Sequence, residues 1–65
     1  MHSKQMQTIA KNLLSSLSRA QIAVIAEHGY AGALPAGLTE DEREDLRQVI
    51  NDTATCVNAG AYSLA

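Results

Sequence analysis

Apolar side chains recur along this chain at the three- and four-residue steps of a helix, and no stretch has the alternation of a strand. Met6, Ile9, Ala10, Leu13, Leu14 and Leu17 set the first such face, with Gln5, Lys11 and Asn12 on the other side. The pattern predicts a helix over about 4–16, with Ser3 placed to cap it. A second predicted helix, about 19–28, carries its own start and stop signals. Ser18 followed by Gln21 has the spacing of a capping box, in which each side chain takes up a backbone N–H that the first turn leaves unpaired. Leu17 and Ile22 flank the box as a hydrophobic staple. Gly29 is suited to a left-handed cap, with Tyr30 folded over Ile25 in a Schellman arrangement. Between those ends Ile22, Ala23, Val24, Ile25 and Ala26 point in all directions around the helix, a pattern that predicts burial on several sides.

No glycine or proline separates the first two helices, so a rival reading runs a single helix over 4–28. Met6, Ala10, Leu13, Leu17, Ala20 and Val24 then step as the a/d seam of a dimerising coil. The coincidence of staple and box, together with serines that compete for backbone hydrogen bonds at 15, 16 and 18, favours the break.

Residues 29–38 read as a loop punctuated by Gly29, Gly32, Gly37 and Pro35, yet it is apolar for a loop. Tyr30, Leu34 and Leu38 are either lids tucked onto the helices or part of a binding surface. Thr39 with Glu42 repeats the capping box. Glu40, Asp41 and Glu42 crowd the first turn, where the helix dipole favours acids. This third helix is predicted over about 40–58, burying Leu46, Val49, Ile50, Thr53 and Val57 with Cys56 beside them. Residues 61–65 form a short tail. The prediction is an all-α fold in one domain over 1–65: a small three-helix unit, or a helical hairpin if the first two helices merge.

Size turns this pattern toward association. A chain of 65 residues buries only about 60% of the surface its unfolded form exposes, and its own core supplies roughly 3–5 kcal/mol net. It has no Phe or Trp, and its single Cys56 forms no internal disulfide. Dimerisation is the cheapest remaining source of stability. Met6, Ile9, Leu13, Leu17 and Val24 are the candidate dimer-interface residues. The formal charge of −2 is unevenly spread: residues 1–38 sum to +2 and residues 39–65 to −4, a split that suits opposed halves or subunits.

Chemical motifs are few. Cys56 and His28 are a potential thiol and base, but nothing nearby in the sequence lowers the thiol pKa. Cys56 reads as a small buried hydrophobe, and His28 as the residue closing the second helix, where partial positive charge suits the dipole. Glu40, Asp41, Glu42, Glu44 and Asp45 offer paired carboxylates, but in one solvated turn without an apolar pocket to separate their pKa values. The glycines match neither the dinucleotide nor the Walker spacing, and no Cys/His cluster has zinc spacing. No catalytic residue, metal or cofactor is therefore assigned, and the protein is expected not to be an enzyme.

Helix-turn-helix DNA binding fits the pattern less well. The connection after the second helix runs to about ten residues, against three or four in that motif, and five acids in 40–47 repel phosphates. Three basic side chains and no aromatic anchors make a poor membrane-surface helix of residues 4–28. Residues 1–5 open no signal-like apolar run, no run reaches the ~18 apolar residues of a membrane span, and a lone cysteine suits a reducing compartment. The expected location is cytoplasmic.

What remains is a small non-enzymatic protein-interaction module, expected to be a homodimer, that binds and inhibits or modulates a larger protein partner. In kind, though not in motif, it is similar to the host-protein modulators that phages and plasmids encode. The candidate partner-binding residues are the apolar Tyr30, Leu34, Leu38, Tyr62 and Leu64, with Glu40, Asp41 and Glu44 as an acidic rim. The alternatives are a dimeric helix-turn-helix-like transcription regulator and a structural or oligomerisation subunit.

Overall fold

Two reciprocal caps and one run of four buried side chains set the architecture. In the computed structural model, which describes residues 4–64, three helices follow one another: α1 Lys4–Ser15, α2 Arg19–His28 and α3 Glu40–Asn58. Among the described residues there is no strand. The cap foreseen at Ser3 lies outside the described residues.

The first two helices are separate. At the end of α1 the Ser15 hydroxyl donates to the Lys11 carbonyl, and the Ser16 hydroxyl donates to that of Leu13 at 2.8 Å. The Leu13 carbonyl, which a continuing helix would have given to the Leu17 N–H, is thus taken by Ser16, while the Leu17 N–H turns to the Leu14 carbonyl at 3.1 Å. Three residues on, Ser18 takes extended backbone and opens α2. Its hydroxyl accepts from the Gln21 N–H at 3.2 Å, and the Gln21 side chain accepts from the Ser18 N–H at 3.2 Å. The a/d seam is therefore cut: Met6 and Ala10 are buried, Leu13 and Leu17 half-buried, and Ala20 and Val24 exposed.

α3 begins with the same device. Thr39 Oγ1 accepts from the Glu42 N–H at 3.2 Å while the Glu42 carboxylate accepts from the Thr39 N–H at 2.9 Å. This helix, not α2, is the hub, because both α1 and α2 pack against it. Leu46, Val49, Ile50 and Ala54 recur at helical spacing and are buried along its inner side. Met6, Ala10 and Leu14 from α1 and Ile22 and Ile25 from α2 complete the core. Leu14, Leu46 and Ile50 are fully enclosed, each stabilising the fold by about 1.5–3 kcal/mol through removal from water. Two of the buried positions, Ala10 on α1 and Ala54 on α3, carry small side chains that suit dense packing. Thr53 and Val57, expected inside, are only half-buried, since α3 turns them to the margin of its contact face.

Three expectations are corrected. α2 is not buried on several sides: Ile22 and Ile25 face the core while Val24 is 56% exposed, because α3 covers one flank and, among the described residues, no other helix lies over the opposite one. Cys56 is exposed rather than a buried hydrophobe. The Schellman closure belongs to α3, not α2. There Gly60, at φ 78°, donates to Val57 O at 3.0 Å, and Ala61 donates to Cys56 O at 2.9 Å, the paired bonds of that motif. At α2 the Gly29 N–H reaches Ile25 O at 2.8 Å, but φ 87° and ψ 163° carry the chain away from the helix. The next N–H, that of Tyr30, goes instead to the side chain of Asn51 on α3, at 2.8 Å.

The radius of gyration, 11.0 Å, matches the value of about 11 Å for a compact chain of this length. No helix among the described residues is long and apolar enough to cross a membrane.

Candidate functional site

Between α1 and α3 lies a cleft of about 370 Å³, lined by Gln7, Lys11, Val49, Asp52, Thr53, Cys56, Ala61 and Tyr62. Helical spacing builds both walls. Gln7 and Lys11 are one turn apart on α1, and Val49, Asp52, Thr53 and Cys56 follow at three, one and three on α3. The Schellman turn at Gly60 closes the lower end by turning residues 61–64 back toward α1. This brings the Tyr62 ring beneath Lys11, whose Nζ lies 5.7 Å from the ring centroid, within the range of a cation–π attraction. Tyr62 remains 38% exposed. The cleft thus presents an apolar floor, an aromatic face, an ammonium, a carboxylate, a hydroxyl and a thiol to solvent.

The tail's Leu64 packs against the core from outside, over a wider depression bordered by Leu14, Leu17, Ile22 and Val57. A third hollow, of about 390 Å³, lies on the far side of α2, lined by Leu17, Ala20, Gln21, Val24, Ile25, Gly29, Tyr30, Ala31 and Gly32. Its walls are almost wholly apolar. The Tyr30 hydroxyl donates to the Ala33 carbonyl at 2.7 Å, which holds the ring over its own loop beside Gly32.

The residues expected to contact a partner do not form one patch. Tyr30, Leu34, Leu38 and Leu64 are half-buried and packed on the core, so they act largely as lids. Glu40, Asp41 and Glu44 are exposed on the first turns of α3. Tyr62 and Leu64 follow the other end of that helix, whose 19 residues span about 28 Å. The acidic rim and the tail are thereby held at opposite ends of the molecule.

The dimer-interface candidates divide as well. Met6 is 1% exposed in the chain's own core. Ile9, Leu13 and Leu17 are partly buried against that core, and Val24 stands clear of it.

His28 ends α2 with its Nε2 3.8 Å from the Glu27 carboxylate and does not line the cleft that holds Cys56. Among the described residues no group of three or more His, Cys, Asp or Glu side chains is placed to hold a metal ion. Lys11 and Asp52 had no place among the sequence-derived candidates, and Cys56 was considered only as a thiol with His28. Their association depends on which side of α1 faces α3, and neither helix alone carries that signal. Compared with protein families, curated proteins and solved structures, the chain matches none.

Proposed function

We propose that this protein is a non-enzymatic interaction module that binds a larger protein and modulates it, with the α1–α3 cleft as its contact site. The observation that carries the reading is the combination at the cleft mouth of an exposed aromatic ring, a cation held over it, and an apolar floor. Tyrosine is among the residues that dominate binding energy at protein interfaces, where an aromatic anchor packs into an apolar surround with polar groups at its rim. A cleft of this volume accommodates one apolar side chain of a partner, with the Lys11 ammonium at its mouth. The helix-turn-helix alternative gains no support: residues 29–39 separate α2 from α3, and the first turn of α3 is acidic.

The test is capture of partners from a lysate of the encoding organism on immobilised protein, with nuclease present. The wild-type chain should retain one host protein in near-equal amount, and Tyr62→Ala and Lys11→Glu should each lose it while keeping their helical circular dichroism. Retention unaffected by either substitution overturns the assignment of the cleft; retention that disappears with nuclease overturns the protein-partner reading itself.

A further inference from the structure

We infer that residues 61–64 form a strap that docks and releases, with Gly60 as its hinge and Leu64 as its latch, and that seating Leu64 assembles the aromatic wall of the α1–α3 cleft. The consequence for binding rests on that cleft being the contact site.

The strap stands between two hollows. On one side Ala61 and Tyr62 line the cleft with Gln7, Lys11 and Cys56. On the other, Tyr62, Ser63 and Leu64 border the wider depression with Leu14, Leu17, Ile22 and Val57. Tyr62 belongs to both. Two residues of extended chain reach only about 7 Å, so packing Leu64 on the core confines the Tyr62 ring to the neighbourhood of Lys11. Leu64 does not itself line the cleft; it is a positioning residue, acting through Tyr62.

The hinge is a matter of torsion. Gly60 has φ 78°, which glycine adopts freely, and a Cβ there would meet nothing within 4 Å. Beyond Ala61, whose N–H bonds to Cys56 O at 2.9 Å, residues 62–64 carry neither helix nor strand. Two side chains grip them: Leu64, partly buried against the core, and Tyr62, whose ring centroid lies 5.7 Å from Lys11 Nζ. Ordering the strap costs backbone freedom, and a half-buried leucine with a solvent-exposed cation–π pair offsets that cost only modestly. Docked and released forms therefore lie within reach of each other. A partner side chain held against Tyr62 binds the docked form, so partner binding and the seating of Leu64 reinforce one another.

Proton NMR of the free full-length chain reads the latch with no partner present, because the Tyr62 ring shifts the Lys11 ε-methylene protons upfield while it lies beneath them. Leu64→Ala should lower the docked-to-released ratio about ten-fold, the worth of a half-buried leucine side chain. The Lys11 shift should then fall toward its value in Tyr62→Ala and residues 61–64 should gain fast backbone motion, while the amide shifts of the buried positions on α1 and α3 hold. Leu64→Met should restore the Lys11 shift. Gly60→Ala should lose it, and Gly60→Asn, which tolerates positive φ, should keep more of it. A Lys11 shift that survives Leu64→Ala overturns the latch, and one indifferent to Gly60→Ala overturns the hinge.

In the lysate capture, Leu64→Ala should lose the host protein as Tyr62→Ala does, and Leu64→Met should retain it. Retention by Leu64→Ala alongside loss by Tyr62→Ala overturns the link between strap and binding and leaves the cleft reading standing. Retention by both is failure of the cleft reading, and the link falls with it; the latch in the free chain is then decided by the Lys11 shift alone.

Discussion

The side-chain carbonyl of Asn51, midway along α3, accepts the backbone N–H of Tyr30 at 2.8 Å, and so closes a helix that is not its own. The same side chain lies under Gly29, where its nitrogen is 3.6 Å from the position a Cβ would occupy. A long-range side chain thus takes over a task usually done by local backbone. It ties the exit of α2 to the hub helix, and fixes where the loop 29–38 departs.

Asn51→Ala should therefore cost more than a surface substitution. It leaves a half-buried N–H without its acceptor, a penalty of about 1–3 kcal/mol, and in a domain of this size each kcal/mol lowers Tm by about 4–8 °C. Asn51→Asp retains an acceptor oxygen and should recover much of the loss. Thermal denaturation of the three proteins checks this; an alanine variant as stable as wild type would mean that water replaces the bond without penalty.

The two capping boxes make a second, local prediction. Ser18→Ala and Thr39→Ala each remove the acceptor for an N3 N–H and should each destabilise by about 1 kcal/mol. Thr39→Ala carries a further consequence, since α3 supports both other helices. It should lower the cooperative unfolding transition as a whole, whereas the loss at Ser18 should also appear as faster amide exchange confined to the first turn of α2. Hydrogen exchange read residue by residue separates the two.

These caps were also the most legible part of the chain. A box needs two side chains three residues apart, so sequence spacing contains the whole geometry, and both boxes form as their spacing implied. The division between α1 and α2 followed from the same local information. What the spacing of Gly29 did not contain was competition. A glycine after a helix permits several closures, and the one adopted depends on Asn51, 22 positions further along the chain. Ala54 was missed for a related reason: a small residue gives little hydrophobic signal, yet it is fully buried in the core that the three helices share. Cys56 shows the converse, a residue that reads as apolar but falls on the open side of α3. The cleft was illegible because it is a property of two helices facing one another.

Core truncation should expose how little reserve the fold has. Leu46 is fully enclosed, and Leu46→Ala removes its contacts and leaves a cavity, at about 2–5 kcal/mol. That is comparable with the whole net stability of a domain of this size, about 3–5 kcal/mol. The variant should be largely unfolded at 25 °C at low concentration, by circular dichroism and by loss of amide dispersion. Val24→Ala, changing an exposed side chain, should leave the monomer's stability within about 0.5 kcal/mol. A folded Leu46→Ala of near-native Tm would show that the three helices re-pack around the void.

The loop offers a test that couples two residues. Gly32 does not need a left-handed backbone; it needs space, because a Cβ there would sit 2.5 Å from the Tyr30 hydroxyl oxygen and 2.7 and 2.9 Å from two of its ring carbons. Gly32→Ala must push the ring aside, and the hydrogen bond from Tyr30 to the Ala33 carbonyl breaks with it. The expected cost is about 1 kcal/mol, the worth of that bond with some added strain. Tyr30→Phe loses the hydroxyl donor but keeps the ring, so Gly32→Ala in that background should still cost something. In a Tyr30→Ala background nothing remains to collide with, and the same substitution should become neutral or slightly stabilising, as replacement of a glycine by alanine restricts the unfolded chain. A double-mutant cycle built from the denaturation free energies measures the coupling directly. If Gly32→Ala costs the same with and without the Tyr30 side chain, the ring does not rest against Gly32 in solution, and the hollow beside α2 has a different rim.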